Sequence, residues 1–290
     1  MNMKRPTYID ILKARKCIAP YLNKTPLIHY PLLSDILEFD VYVKHENCHP
    51  TGSFKIRGGI NLISNLNAEE RAKGVITAST GNHGQSIALA SKMFGVKSTV
   101  CVKKGANPDK VEAIRRFGAD IIEKGRDFDE ARSYAKRISE EQGLYYIHSA
   151  DEPLLIAGVG TMGLEIIEDV PDVDAVIASV GGGTQASGLG IVFKTVSPSV
   201  DIIAVQAENA PSVYLSWKSG KLESTESAET VADGLATRQA FELTTSILRD
   251  VLDDFVLVSE MEIKNAIKLY VDKAKTISEG ALILCGYDAG

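Results

Sequence analysis

The feature that most constrains this chain is a repeated alternation of short apolar strands and amphipathic segments, joined by connections of a few residues. Residues 74–78 (Gly-Val-Ile-Thr-Ala) read as a strand, 86–94 as a helix, 99–102 as a strand and 108–117 as a helix closed by Gly118. The same rhythm gives a strand at 119–122, a helix at 127–142 and a strand at 145–147. It continues with a helix at 157–168, a strand at 175–179, a helix ending at Val196, strands at 202–206 and 255–258, and a helix at 260–274. Strands linked through helices run parallel, and a parallel sheet is covered on both faces. The chain is therefore predicted to be an α/β protein of mostly parallel sheets with helices on both faces. Ahead of this region, 7–21, 31–36 and 59–66 carry helical spacing and 41–44 alternates like a strand. Residues 211–219 look helical, and the polar stretch 221–230 reads as a loop.

Composition narrows the class of function. At 290 residues with 44% hydrophobic content, the chain can bury one large core or two medium ones. A net charge of −6 gives nucleic acid no electrostatic reason to bind. No apolar run is of membrane-spanning length, and residues 1–10 lack the apolar centre of a secretory signal. Cys17, Cys48, Cys101 and Cys285 are far apart, which predicts free thiols in a reducing, cytoplasmic setting. His45 and His49 are four residues apart but lie on a strand-to-turn segment, where two ligands alone do not make a zinc site.

Three stretches carry chemistry. In the first, a Pro50-Thr51-Gly52 turn leads into Ser53-Phe54-Lys55-Ile56-Arg57-Gly58-Gly59. A lysine at a helix start sits beside partial positive charge, which disfavours its protonation and favours its use as a nucleophile. Alone, the same lysine reads more readily as a surface residue on a first helical turn, since surface lysines are the rule. In the second, an apolar strand runs into Gly181-Gly182-Gly183-Thr184-Gln185 and then a helix. Such a loop can turn several backbone N–H groups onto a phosphate, or can simply be a tight turn that needs glycine for packing. It matches neither a dinucleotide fingerprint nor a nucleotide P-loop. In the third, Ser79-Thr80-Gly81-Asn82-His83-Gly84-Gln85 joins a strand end to a helix start. Its hydroxyls and N–H groups suit a carboxylate, and they equally suit an ordinary helix cap.

An amine nucleophile, a phosphate cradle and a carboxylate cradle together describe a site for pyridoxal phosphate and an amino acid. In order and spacing, the three stretches resemble those of the pyridoxal-phosphate enzymes of the tryptophan-synthase β fold. Among these, the threonine/serine dehydratases and serine racemase are most similar, with further support from Ile156-Ala157-Gly158-Val159-Gly160-Thr161 and Val231-Ala232-Asp233-Gly234-Leu235-Ala236. The resemblance implies that Lys55 carries the cofactor and later removes the substrate Cα proton. It implies that Phe54 packs on the pyridine ring and that Asn82 bonds the ring oxygen. It assigns the phosphate to Gly181, Gly182, Gly183 and Thr184, and the substrate carboxylate to the loop holding Ser79, Thr80 and His83. It further implies a two-domain arrangement, with 68–148 as a smaller unit inside a larger one formed by 1–67 and 149–290. The expected reaction is β-elimination from L-threonine or L-serine, giving a 2-oxo acid and ammonia. A homodimer acting on a small amino acid, with no nucleic-acid or membrane partner, is the family expectation.

The chain also departs from that pattern. Thr184 stands where relatives more often have a fourth glycine. Thr80 replaces a serine that serves the opposite face of Cα in the racemase, so racemisation is an alternative outcome. Gln206 and Ser212 occupy the positions of two metal-binding carboxylates, so no metal site is expected. The sequence reaches Ser278-Glu279-Gly280-Ala281 and Gly290 without the late stretch that contacts the ring nitrogen in relatives. A catalytically impaired cofactor-binding protein is accordingly a further alternative.

Overall fold

The computed structural model describes residues 4–276. In chain order the elements are α1 (Tyr8–Ile18), β1 (Leu27–His29), α2 (Pro31–Leu37), β2 (Tyr42–Lys44), α3 (Lys55–Ser64), α4 (Ala68–Lys73), β3 (Val75–Ala78) and α5 (Asn82–Met93). Next come β4 (Ser98–Val102), α6 (Pro108–Arg116), β5 (Asp120–Glu123), α7 (Phe128–Gln142), β6 (Tyr145–Ile147), α8 (Pro153–Asp169), β7 (Ala175–Ser179) and α9 (Thr184–Val196). The series closes with β8 (Asp201–Ala207), α10 (Ser212–Ser219), α11 (Glu242–Val251), β9 (Asp254–Val258) and α12 (Glu260–Leu269). A π-helical turn at Tyr270–Ala274 ends the predicted 260–274 helix.

By compactness the chain divides into two units. The first holds Met1–Asn23 and His49–Thr161, and the second holds Lys24–Cys48 and the chain from Met162 onward. The 68–148 segment contains the whole first sheet, but compactness also assigns α1 and α3 to that unit, because α3 packs closely on α5.

In the first unit a four-stranded parallel sheet runs β5-β4-β3-β6. Strand period explains its two cores. Ile76, Ala78 and Cys101 pack with Ala131, Ala135 and Ile138 of α7. Their alternates Val100 and Val102 pack with Ala88 of α5 and with Val111 and Ile114 of α6. Helix α3 is buried from Ile56 to Ile63, including Arg57 and Asn61, whose side chains donate to the Thr161 hydroxyl at 3.2 Å and the Leu154 carbonyl at 2.8 Å. It approaches α5 so closely that a Cβ on Gly59 would clash with the hydroxyl of Ser86 and stand 2.9 Å from its carbonyl oxygen. That hydroxyl donates a 2.6 Å hydrogen bond to the Lys55 carbonyl.

The second unit contains a three-stranded parallel sheet, β7-β8-β9, and an antiparallel pair, β1-β2. Val205, Ala207, Leu235, Val258 and Ile263 form one of its cores. Lys44 of β2 and Glu165 of α8 make an ion pair of 2.7 Å with side chains only 7% and 15% exposed. No helix among the described residues is long and apolar enough to cross a membrane.

Candidate functional site

The Pro-Thr-Gly turn delivers Lys55 as the first residue of α3, where the cap residue Phe54 provides no side-chain cap. Phe54 is buried, and the Lys55 amine stands 5.1 Å from the centre of its ring. Lys55 as a whole residue is partly accessible, but its amine is deep, and loss of hydration pulls its pKa down from 10.5 to about 8. At pH 7 about a tenth of the amine is thus unprotonated and nucleophilic, far more than for a hydrated lysine. Two residues earlier, the Ser53 hydroxyl is fully buried and has no hydrogen-bond partner among the described residues.

The third stretch begins at the C-terminal end of β3. Helix α5 starts at Asn82, four residues before the predicted start at 86, so Asn82 and His83 lie in its first turn. Its cap is Gly81, without a side-chain cap. Ser79 instead accepts a 3.1 Å hydrogen bond from the Gly81 N–H. The hydroxyl of Thr80 is not the helix cap, and the first N–H groups of α5 have no intrahelical acceptor. A carboxylate fits there on chemical grounds. Asn82 and Thr80 are partly accessible, whereas His83 is buried. The His83 ring nitrogen Nε2 lies 2.9 Å from the Thr77 hydroxyl. Burial is the largest cause holding its pKa down at about 3, with the charges of Lys55 and His148 adding to it.

The glycine loop belongs to the second unit. Gly183 caps α9 with a φ of 86°, a backbone region that favours glycine, and α9 has no side-chain cap. A Cβ on Gly181 would come within 2.9 Å of the Leu235 Cα. The loop therefore needs glycine for packing, and it turns the chain into the start of α9. Thr184 is the first residue of α9 and is buried. One turn on, the buried Ser187 hydroxyl has no partner among the described residues. Gln206 is fully buried, and its Oε1 accepts a hydrogen bond of 3.0 Å from the Tyr214 N–H.

Taken by itself, each unit carries chemistry that suits one end of a phosphorylated aldehyde cofactor. The first unit supplies a buried amine of lowered pKa, and the second an uncapped, glycine-turned helix start. Sequence reasoning missed Thr77 and Ser86. The signal for Thr77 was a polar residue in the middle of the apolar strand Val75-Ile76-Thr77-Ala78. The late stretch around Ser278 to Ala281, with Cys285, lies outside the described residues.

Comparison with known proteins places the chain. The profile of a family described as "Pyridoxal-phosphate dependent enzyme" matches residues 18–287. The L-threonine ammonia-lyase of Thermotoga maritima is 41% identical over 275 residues, covering 95% of this chain and 69% of that protein. The solved structure of maize serine racemase superposes with a TM-score of 0.93 at 32% identity, covering 97% of this chain and 85% of that one. The processed form of threonine deaminase isoform 2 from Solanum lycopersicum does so with a TM-score of 0.89 at 34% identity, covering 98% and 85%.

Proposed function

The chain belongs to the pyridoxal-phosphate dependent enzymes, and we propose that it is an ammonia-lyase converting L-threonine to 2-oxobutanoate and ammonia, with L-serine as a second substrate. The observation that carries this reading is the buried Lys55 amine at the start of α3, with its pKa lowered to about 8. The choice of substrate rests on the relatives, which are named for threonine.

When bound, pyridoxal phosphate supplies an aldehyde that takes an amine and a ring that withdraws electrons from Cα. The protein binds, orients and moves protons. Lys55 holds the cofactor, and its freed amine takes the Cα proton at Nζ. The N–H groups of Asn82 and His83, with the hydroxyls of Ser79 and Thr80, hold the substrate carboxylate. The Asn82 amide orients the ring oxygen, Phe54 packs against the ring, and the N–H groups of Gly181, Gly182, Gly183 and Thr184 hold the phosphate. Lys55, Phe54, Asn82 and Gly181, Gly182 and Gly183 resemble that family's motif in order and spacing, which supports these roles, whereas Thr80 and Thr184 depart from it. A homodimer in the cytoplasm is the family expectation, and sedimentation of the purified protein tests the dimer.

The test is 2-oxobutanoate release from L-threonine by the protein supplied with cofactor. Lys55→Ala should abolish both the reaction and the visible absorption of bound cofactor, while circular dichroism stays unchanged. Full activity in that variant would overturn the assignment. The serine racemase likeness and the partly accessible Thr80 favour one second reading, which predicts D-serine from L-serine without ammonia.

A further inference from the structure

In β8, Val205 and Ala207 face a core they share with Leu235 and Val258, so Gln206 between them points to the opposite face of the sheet. There its Oε1 accepts the Tyr214 N–H at 3.0 Å. Tyr214 is the third residue of α10, and Pro211 ahead of the helix offers no side-chain cap. Gln206 is thus the cap of α10, supplied from a strand instead of from the chain just before the helix. The helix is also tied at its first residue. The fully buried Ser212 hydroxyl donates to the Thr237 carbonyl at 3.0 Å. Thr237 lies two residues beyond the turn Asp233–Leu235, and Gly181 rests on Leu235 of that turn with no room for a Cβ. All these residues belong to the second unit. A line of contacts therefore runs from Gln206 through α10 and the 233–237 segment to the loop proposed to hold the phosphate.

The family pattern would put a divalent cation on the side chains at 206 and 212, and the residues present do not fit one. Such a cation wants oxygen lone pairs, preferably charged ones. The Gln206 oxygen is taken by the Tyr214 N–H, and its Nε2 is a buried donor with no acceptor among the described residues. Protons on that nitrogen repel a cation. Ser212 carries no charge, and among the described residues no group of three or more His, Cys, Asp or Glu could hold a metal ion. We propose that Gln206 and Ser212 are positioning residues that steady the glycine loop by hydrogen bonds, where a divalent cation would otherwise serve, so that cofactor binding in this protein is indifferent to such cations. This deepens the lyase reading and rests on it for the identity of the cofactor. The Gln206 oxygen fixes the start of α10, the Ser212 hydroxyl carries that position to the 233–237 segment, and Leu235 passes it to Gly181.

The test is the affinity of the cofactor-free protein for pyridoxal phosphate, read from visible absorption at a temperature where circular dichroism shows each variant folded. In the unaltered protein, EDTA and millimolar magnesium or calcium should change neither that affinity nor the melting temperature. A cation-dependent rise in either would overturn the proposal, and this arm needs no variant. Gln206→Leu removes the cap and should weaken cofactor binding roughly five- to tenfold. Ser212→Ala cuts the same line one step later and should weaken it in the same sense. A lowered melting temperature with unchanged affinity in both would make the two side chains structural only and defeat the proposal. Gln206→Glu combined with Ser212→Asp supplies two carboxylates, and that double variant should bind the cofactor more tightly with magnesium or calcium than without. Indifference to cations in the folded double variant would mean that these positions do not stand in for a cation. Every arm reads cofactor binding and not threonine turnover, so its failure leaves the lyase assignment standing, whereas an unaltered protein that takes up no pyridoxal phosphate would overturn both.

Discussion

At the scale of residues, the site depends on withholding water from basic groups. Lys55 is pulled to about 8 from 10.5 by burial alone. In the cofactor-free protein the rate of reaction with a small aldehyde should therefore rise through a midpoint near 8, and a midpoint near 10.5 would mean a hydrated amine. Asn82→Ala should lower turnover roughly tenfold, the usual scale for one hydrogen bond at a reacting centre, and unchanged steady-state rates would remove Asn82 from its proposed role. Lys55 and Asn82 were legible in the sequence because each follows a turn or loop at a strand end. Thr77 was not, because its significance lies in a cross-strand partner, Ile147, seventy positions away.

At the scale of elements, the close contact of α3 with α5 decides where Lys55 sits. An alanine in place of a helical glycine ordinarily stabilises the helix. At Gly59 the added Cβ meets Ser86, so Gly59→Ala should cost about 1–3 kcal/mol. Urea unfolding monitored by circular dichroism measures this, and an unchanged midpoint would mean that the two helices separate freely. Most strands and helices were legible from periodicity, and β6 and β7 match their predicted bounds. The misses have physical reasons. β1 has three residues, too few to show a period, and takes its partner β2 from thirteen or more positions away. α4 has six residues, none buried, so it lacks an apolar stripe and is marked only by its Asn67 and Glu70 capping box. In α11 the signal was present, since Leu243, Ile247, Leu248 and Val251 share a helical face, but the polar loop before it hid the start.

At the scale of the molecule, histidines whose pKa is held down are unevenly shared between the two units. His83 and His148 lie in the first, with pKa values near 3 and 4 instead of 6.5. His45 lies in the second and is shifted down in the same sense, mainly by burial. A histidine depressed by folding binds its proton more readily in the unfolded chain. Its contribution is therefore fully present above the ordinary histidine range and is lost as pH falls through 6.5 toward the folded value. Lowering the pH from about 7 to about 5 should reduce hydrogen-exchange protection, corrected for intrinsic rates, more in β3 and α5 than in β8 and β9. Equal losses would mean that other groups govern acid stability. The bond from Ser86 to the Lys55 carbonyl has a mechanical consequence as well. It ties the helix that begins at Lys55 to the helix that begins at Asn82. A motion that parts the two helix starts must break this bond and open the close approach of Gly59 to Ser86.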